Sequence, residues 1–283
     1  MNSVSTHAGS LIVVGTGIQA AGQLTIESRG AIERAEKLFY LVSHPTTAFY
    51  LEKLNASAES LKRFYETDKD RYTSYLEMVD HILAAVRSGL RVCVALYGHP
   101  GVFSFPSHEA IRRARREGYT ARMLPGVSAE DCLFADLGID PANAGCQSFE
   151  ATDFLIFGRT FDPNSSLILW QIGVIGDLTF QAEGYGLSGV TVLSEHLERF
   201  YGAEHSVIVY EAALVPIHDP VKQVVGLGQL PAAKITATST LFVPPKGPAT
   251  MDTAMLKRLG MDPARIQKIV VDLSLEAPTK DLT

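Results

Sequence analysis

Arg71 and Tyr75, with Tyr72 beside them, are the residues whose types and spacing suggest chemistry. An arginine and a tyrosine four residues apart on a helix share one face and can touch. A guanidinium favours the phenolate of a neighbouring tyrosine, whose ordinary pKa is ~10, and so turns a weak acid into a usable base. The same residues also fit a packing role, as aromatics at the edge of an amphipathic helix with Arg71 a surface cation. Residue type alone leaves both open.

Three glycine-bearing loops are the second candidate set. Gly15-Thr16-Gly17-Ile18-Gln19-Ala20 has the outline of a dinucleotide fingerprint, with Glu36 as the acidic residue about 20 positions on. Residues 20–24, including Gly22, intervene before the following helix, and its best cap is Thr25. No helix N-terminus then points at a pyrophosphate, which argues against a nicotinamide cofactor. Tyr97-Gly98-His99-Pro100-Gly101-Val102-Phe103 sets glycines on both sides of a proline. That pattern makes either a narrow wall where a ligand approaches the backbone or a tight surface turn. Leu124-Pro125-Gly126-Val127-Ser128-Ala129 is the third loop. Each follows a candidate strand, and in open α/β sheets ligands gather at the C-terminal ends of strands. Asp153, Glu211 and the histidines form no constellation, and no metal-ligand spacing is present.

The elements that must position these residues alternate. Strands are expected over 11–14, 38–42, 92–96 and 121–124, and helices from Thr25, over 71–88, 107–117 and from Ser128 to Gly138. Gly89 and Gly118 stand where helices stop. This alternation predicts a mostly parallel sheet covered on both faces. Beyond about residue 147 strand-like runs dominate, at 154–157, 167–170, 190–193, 207–210 and 235–243, with helices only around 178–182 and 195–201. The change of texture places a domain boundary near 139–150. The tail, 267–283, holds one short stretch of apolar alternation.

Composition narrows the partners. With 46% hydrophobic and 20% charged residues over 283 positions, the chain has ordinary globular usage and length for a substantial core. A net charge of -6 gives no general attraction to nucleic acid. The run Arg112, Arg113, Arg115, Arg116 reads as the solvated face of one helix. Cys93, Cys132 and Cys146 form no C-x-x-C pair, so reduced thiols and a cytoplasmic setting are expected. The first ten residues lack the layout of a signal peptide, and no apolar run reaches the ~18–20 residues of a bilayer span.

Taken in order, these pieces resemble the tetrapyrrole (corrin/porphyrin) methylase family. The match runs from Gly15, Gly17, Leu24 and Thr25, through the loop at 98–101, to Pro125–Ala129 with Leu137 and Gly138, and ends in a strand at 238–243. Within that family the chain is most similar to the borosin peptide-backbone α-N-methyltransferases. That likeness is carried by 96–103, Gln147-Ser148-Phe149-Glu150-Ala151, Leu169-Trp170-Gln171-Ile172 and Ser239-Thr240-Leu241. His99 stands where precorrin methylases usually carry Asp. Tyr65, Arg71 and Tyr75 resemble the Tyr…Arg-x-x-x-Tyr set those enzymes use in catalysis.

The resemblance implies an α/β protein of two tetrapyrrole-methylase domains, 10–143 and 144–250, with a SAM cleft between them and a C-terminal helix and tail at 251–283. It implies that SAM, leaving as S-adenosylhomocysteine, is gripped by Tyr97, Gly98, His99, Val102, Phe103, Ser104, Ser128, Ala129, Trp170, Gln171, Ala212, Ala213, Ser239 and Thr240. Arg71, Tyr75 and Tyr65 are the implied catalytic residues, with Tyr65 donating to the amide oxygen, and no metal is implied. The substrate expected is a separate small ribosomal precursor peptide, because fewer than ~40 residues follow the last family strand, whereas fused members carry their own core peptide. A homodimer is expected, with room for a heterotetramer that includes the precursor, and neither nucleic acid nor membrane as partner. The alternatives are a precorrin- or porphyrinogen-type C-methyltransferase and a non-catalytic SAM-binding module.

Overall fold

β1 (Ser10–Gly15) is apolar almost without a break because both of its faces are covered, as befits an inner parallel strand. A computed structural model of the chain describes residues 9–266, divided into two compact units. The first holds the described residues up to Cys132, together with Leu178–Glu183 and Ala212–Asp219. The second holds Leu133–Asp177, Gly184–Glu211 and the described residues from Pro220 on.

In the first unit β1 is followed by α1 (Ile26–Arg34), β2 (Lys37–Leu41), α2 (Pro45–Leu54), β3 (Glu59–Ser60), α3 (Arg71–Arg87), β4 (Arg91–Leu96), α4 (Phe105–Arg116) and β5 (Thr120–Met123). The strands form one parallel sheet in the order β3-β2-β4-β1-β5. Alternate residues serve opposite faces. Leu11, Val13, Phe39 and Val94 join Met78, Ile82 and Leu83 of α3 and Ala110 of α4, while Val14, Leu38 and Cys93 join Ile32 of α1 and Leu51 of α2. Each fully buried Leu, Ile or Met contributes about 1.5–3 kcal/mol relative to exposure. The Thr25 hydroxyl accepts from the Ser28 N–H at 3.1 Å and starts α1 as expected, and Ile26, its first residue, is 92% exposed. α3 ends on Gly89 at φ +91°, where Gly89 N–H reaches Val86 O and Leu90 N–H reaches Ala85 O, at 3.0 and 3.3 Å. That is the left-handed stop for which glycine is suited. α5 (Ala129–Leu137) contains the division between the units.

The second unit continues with α6 (Pro141–Ala144), β6 (Cys146–Glu150), α7 (Ala151–Ile156), β7 (Ser166–Trp170), α8 (Ser188–Tyr201), β8 (Ser206–Glu211), β9 (Val221–Gly226), β10 (Thr240–Val243) and α9 (Thr253–Arg258). Its sheet runs β6-β7-β10-β8-β9, with β6 parallel to β7 and every other pair antiparallel. Leu167, Leu169, Val207, Val209, Leu241 and Val243 form its core with α7 and α8.

Four expected elements are corrected. Residues 154–157, expected as a strand, lie largely in α7: the Glu150 carboxylate caps its N-terminus from the Asp153 N–H at 2.7 Å, and Ala151 and Phe154, three apart, face the core. Residues 190–193, also expected as a strand, lie in α8, whose buried Val190, Leu193, Ser194, Leu197 and Tyr201 follow the helical period. The β-branched run there is overridden by the longer pattern. Residues 178–182, expected as a helix, run as an extended strap beside 68–71. The expected strand 235–243 begins only at Thr240, and α2, β6 and β9 were not anticipated. The expected division into 10–143 and 144–250 is contiguous, whereas the observed first unit takes in two later stretches. The expected tail, 267–283, lies outside the described residues. Among the described residues no helix is long and apolar enough to cross a membrane.

Candidate active site

Backbone meets backbone at the C-terminal ends of β1, β4 and β5. Gly17 and Gly98 exchange N–H···O bonds at 3.3 and 3.0 Å. A Cβ on Gly15 would sit 2.2 Å from Gly98 O and 3.1 Å from the Gly126 Cα, and one on Gly126 2.9 Å from the Gly15 Cα. Only hydrogen fits, so three loops recognised separately in the sequence form one wall.

The 97–104 loop is built from both ends. Tyr97 N–H donates to Leu41 O at 3.0 Å, and Gly98, buried at φ +68°, turns the chain. His99 Nδ1 accepts from the Gly101 N–H at 2.9 Å, which in the neutral ring leaves the proton on Nε2. The imidazole thus braces the loop. Val102 and Phe103 are exposed, at 38% and 52%, and Phe103 holds φ +47°, a strained conformation of the kind that collects at ligand sites. Ser104 precedes α4, and its carbonyl accepts from Ser107 Oγ at 2.8 Å. Ser128 is buried. Its N–H and Oγ both donate to Asp131 Oδ2 at 2.7 Å, and its Oγ accepts from the Asp131 N–H at 3.2 Å. That closed exchange fixes the start of α5.

The second unit groups the remaining cofactor candidates apart from Ala212 and Ala213. Trp170 is buried with Nε1 donating to Ser148 Oγ at 2.7 Å, and Gln171 beyond it sits at φ +60°. Ser239 is fully buried: its Oγ donates to Glu211 Oε1 at 2.5 Å, and its carbonyl accepts from the Ile172 N–H at 3.1 Å. Thr236 Oγ1 donates to the same Glu211 oxygen at 2.6 Å. Glu211, given no role from sequence, therefore ties the loop before β10 to the end of β8, with Thr240 buried next to it. Ala212 and Ala213 follow β8 and are half-buried in the first unit.

Arg71 opens α3 and Tyr75 lies one turn later on the same face. Asp70 caps the helix through its Oδ1, which accepts from the Thr73 N–H at 2.9 Å. A 3₁₀ turn over Leu61–Phe64 delivers Tyr65 to that end, and its ring meets Tyr75 edge to face at 6.3 Å between centroids. Phe105 stacks on Tyr75 at 6.2 Å and touches Tyr72 at 5.0 Å, while Phe180 stacks on Tyr65 at 4.9 Å. Lys69 Nζ bridges the Phe64 carbonyl, at 3.3 Å, to Glu77 of α3, at 2.6 Å. Tyr75 itself is half-buried, with its ring held between Tyr65 and Phe105. The three residues singled out from sequence stand together. Phe105 and Phe180 were missed, for nothing local marks Phe105 as the partner of Tyr75, or Phe180, over a hundred positions away, as the partner of Tyr65.

Residues 10–217 match the model of the tetrapyrrole (corrin/porphyrin) methylases. The chain belongs to that family. It is 45% identical over 267 residues to a methyltransferase/ribosomally synthesized cyclic peptide dendrothelin A precursor of Dendrothele bispora, covering 93% of this chain and 64% of that protein. It is 41% identical over 273 residues to a methyltransferase/ribosomally synthesized type I borosin cyclic peptide precursor of Serendipita vermifera subsp. bescii, covering 94% and 66%. The methylase thus spans just under two thirds of the length of these relatives. Its fold is shared with a uroporphyrin-III-C-methyltransferase from Thermus thermophilus, at TM-score 0.59 and 19% identity, over 89% of this chain and 96% of the other.

Proposed function

We propose that this methylase transfers methyl groups from SAM to backbone amide nitrogens of a ribosomally made precursor peptide. The observation that carries the reading is the grouping of Tyr65, Arg71 and Tyr75 at one helix N-terminus, beside an identity of 45% to a protein named as both methyltransferase and cyclic-peptide precursor. An amide nitrogen is a poor nucleophile because its lone pair is shared with the carbonyl. Methylation therefore needs a base at the N–H and a donor at the oxygen as charge moves there. In this reading Tyr75 is the base at the N–H, Arg71 stands one turn before it on the same face of α3, and Tyr65 donates to the amide oxygen.

SAM, when bound, supplies the electrophilic methyl on its sulfonium. The glycine wall and the candidates Tyr97, Gly98, His99, Val102, Phe103, Ser104, Ser128 and Ala129 include no lysine or arginine, and α1 starts only at Ile26, well past Gly17. A pyrophosphate would find no cation there, and the helix that follows the Gly15–Gly17 turn starts too late to meet it, whereas SAM carries no phosphate. Strained backbone at Phe103 and Gln171 supports ligand contact at both positions. Ala212, Ala213, Trp170, Ser239 and Thr240 complete the proposed cofactor contacts. The same reading makes the protein a cytoplasmic homodimer, and light scattering of the active species should give twice the mass of one chain.

Incubation with SAM and a synthetic precursor peptide, read by mass spectrometry, should add one-methyl increments located on backbone nitrogens. A peptide left unmodified while a porphyrinogen gains methyl would overturn the reading. Calorimetry should find SAM and S-adenosylhomocysteine binding and no tight binding of NAD(P).

A further inference from the structure

The strap at 178–183 does more than cover an edge. Its backbone pairs with the segment that leads into α3: Asp68 N–H donates to Phe180 O at 2.9 Å, Phe180 N–H to Lys69 O at 2.9 Å, and Arg71 N–H to Leu178 O at 3.0 Å. The last bond satisfies one of the first N–H groups of α3, which have no partner within the helix. Gln181 Nε2 adds a side-chain latch, donating to Asp68 Oδ1 at 3.0 Å and to Thr179 Oγ1 at 2.8 Å. Asp68 meets this latch at φ +65°, a left-handed conformation that Asp tolerates better than most residues. From this frame Phe180 lies nearly parallel to Tyr65, with 19° between the rings and 4.9 Å between centroids, and Tyr65 in turn meets Tyr75 edge to face.

Tyr65 follows a 3₁₀ turn, so no α-helical rotamer fixes its ring, which packs at the edge of the first unit's core. Phe180 covers one face of that ring and Tyr75 meets it edge to face. We propose that Phe180 is a positioning residue for methyl transfer: it holds the Tyr65 ring against Tyr75 so that the Tyr65 hydroxyl meets the substrate amide. The proposal rests on the catalytic reading of Tyr65 given above.

The test uses the full-length protein, SAM and the precursor peptide, with thermal unfolding measured for every variant. Phe180→Leu keeps an apolar side chain of similar bulk and removes the stacked ring. It should lower kcat by roughly tenfold to a hundredfold, the scale expected of a misplaced catalytic group, while KM, SAM affinity and the unfolding midpoint change little. Phe180→Tyr restores the ring and should return most of the rate. In a Tyr65→Phe background Phe180→Leu should cost nothing further. An equal loss in both backgrounds, a parent-like rate for Phe180→Leu, or a Phe180→Tyr as slow as Phe180→Leu would each overturn the proposal. A second readout does not depend on turnover. In protein carrying labelled tyrosine, the Tyr65 ring resonance, identified by its loss in Tyr65→Phe, should shift in Phe180→Leu as the stacked ring current disappears. A parent protein inactive on peptide in which this resonance still shifts would sink the function and keep the positioning, and an unmoved resonance sinks the positioning itself.

Discussion

Tyr75 and Arg71 are proposed to act on the amide only as it reacts, and the cofactor is proposed to be held by other loops. Tyr75→Phe and Arg71→Ala should therefore each lower methyl transfer by about 10²–10⁴-fold, with SAM affinity unchanged within a few-fold. Tyr65→Phe should be milder, since it removes a donor and not the base. Single-turnover rates and calorimetry separate the two effects, and a Tyr75→Phe protein working at the parent rate would return Tyr75 to packing against Phe105. Glu109 offers a second, independent test. Hydrogen bonds from Arg112 and Arg113 pull its carboxyl from the ordinary 4.5 down to about 2, and Arg113 also reaches Asp80 at 2.9 Å. A depressed carboxyl contributes stability above its unfolded pKa and loses it as pH falls. The urea midpoint should thus drop between about pH 4.5 and 2, and Glu109→Gln should lower the midpoint at pH 7 and flatten that acid limb.

At the scale of elements, the glycine wall gives the sharpest contrast. Gly15→Ala drives a methyl into the Gly98 carbonyl, where backbone on the far side has no room to yield. Gly118 ends α4 at φ +87° with open space around it, so Gly118→Ala meets only conformational strain, about 1 kcal/mol. Urea titration should find Gly118→Ala modestly destabilised and Gly15→Ala unfolded or unable to bind SAM. Much of this scale was legible in the sequence, because Thr25, Gly89 and Gly118 act through their own local geometry. The runs at 154–157 and 190–193 were misread because a four-residue, largely apolar run fits a strand or a helix equally well. Only Glu150 ahead of the first, and the spacing through Tyr201 after the second, decide between them. The Arg71–Tyr75 pair could be read from its spacing. Phe180 on Tyr65, and Glu211 under Ser239, arise from pairings across distant parts of the chain that no local pattern encodes.

The whole molecule is assembled from interleaved stretches. A fragment of residues 1–143 would carry the expected first domain and omit Leu178–Glu183 and Ala212–Asp219. Arg71 would lose the Leu178 carbonyl, Ala20 N–H its bond to Leu214 O at 3.0 Å, and Tyr65 its stacked ring. Such a fragment should show a broad, weak unfolding transition in urea where the full chain unfolds sharply, and adding back residues 144–283 as a separate peptide should sharpen it. A fragment as cooperative as the parent would show that the two late stretches are accessory. The interleaving also constrains descent. A single crossover in the middle of the gene cannot deliver a complete first unit, since two stretches encoded downstream must arrive with it and must match the loop and helix they brace. Lineages that inherit this arrangement can diversify by substitution and by loop length, whereas trading halves with a cousin would break both partners at once.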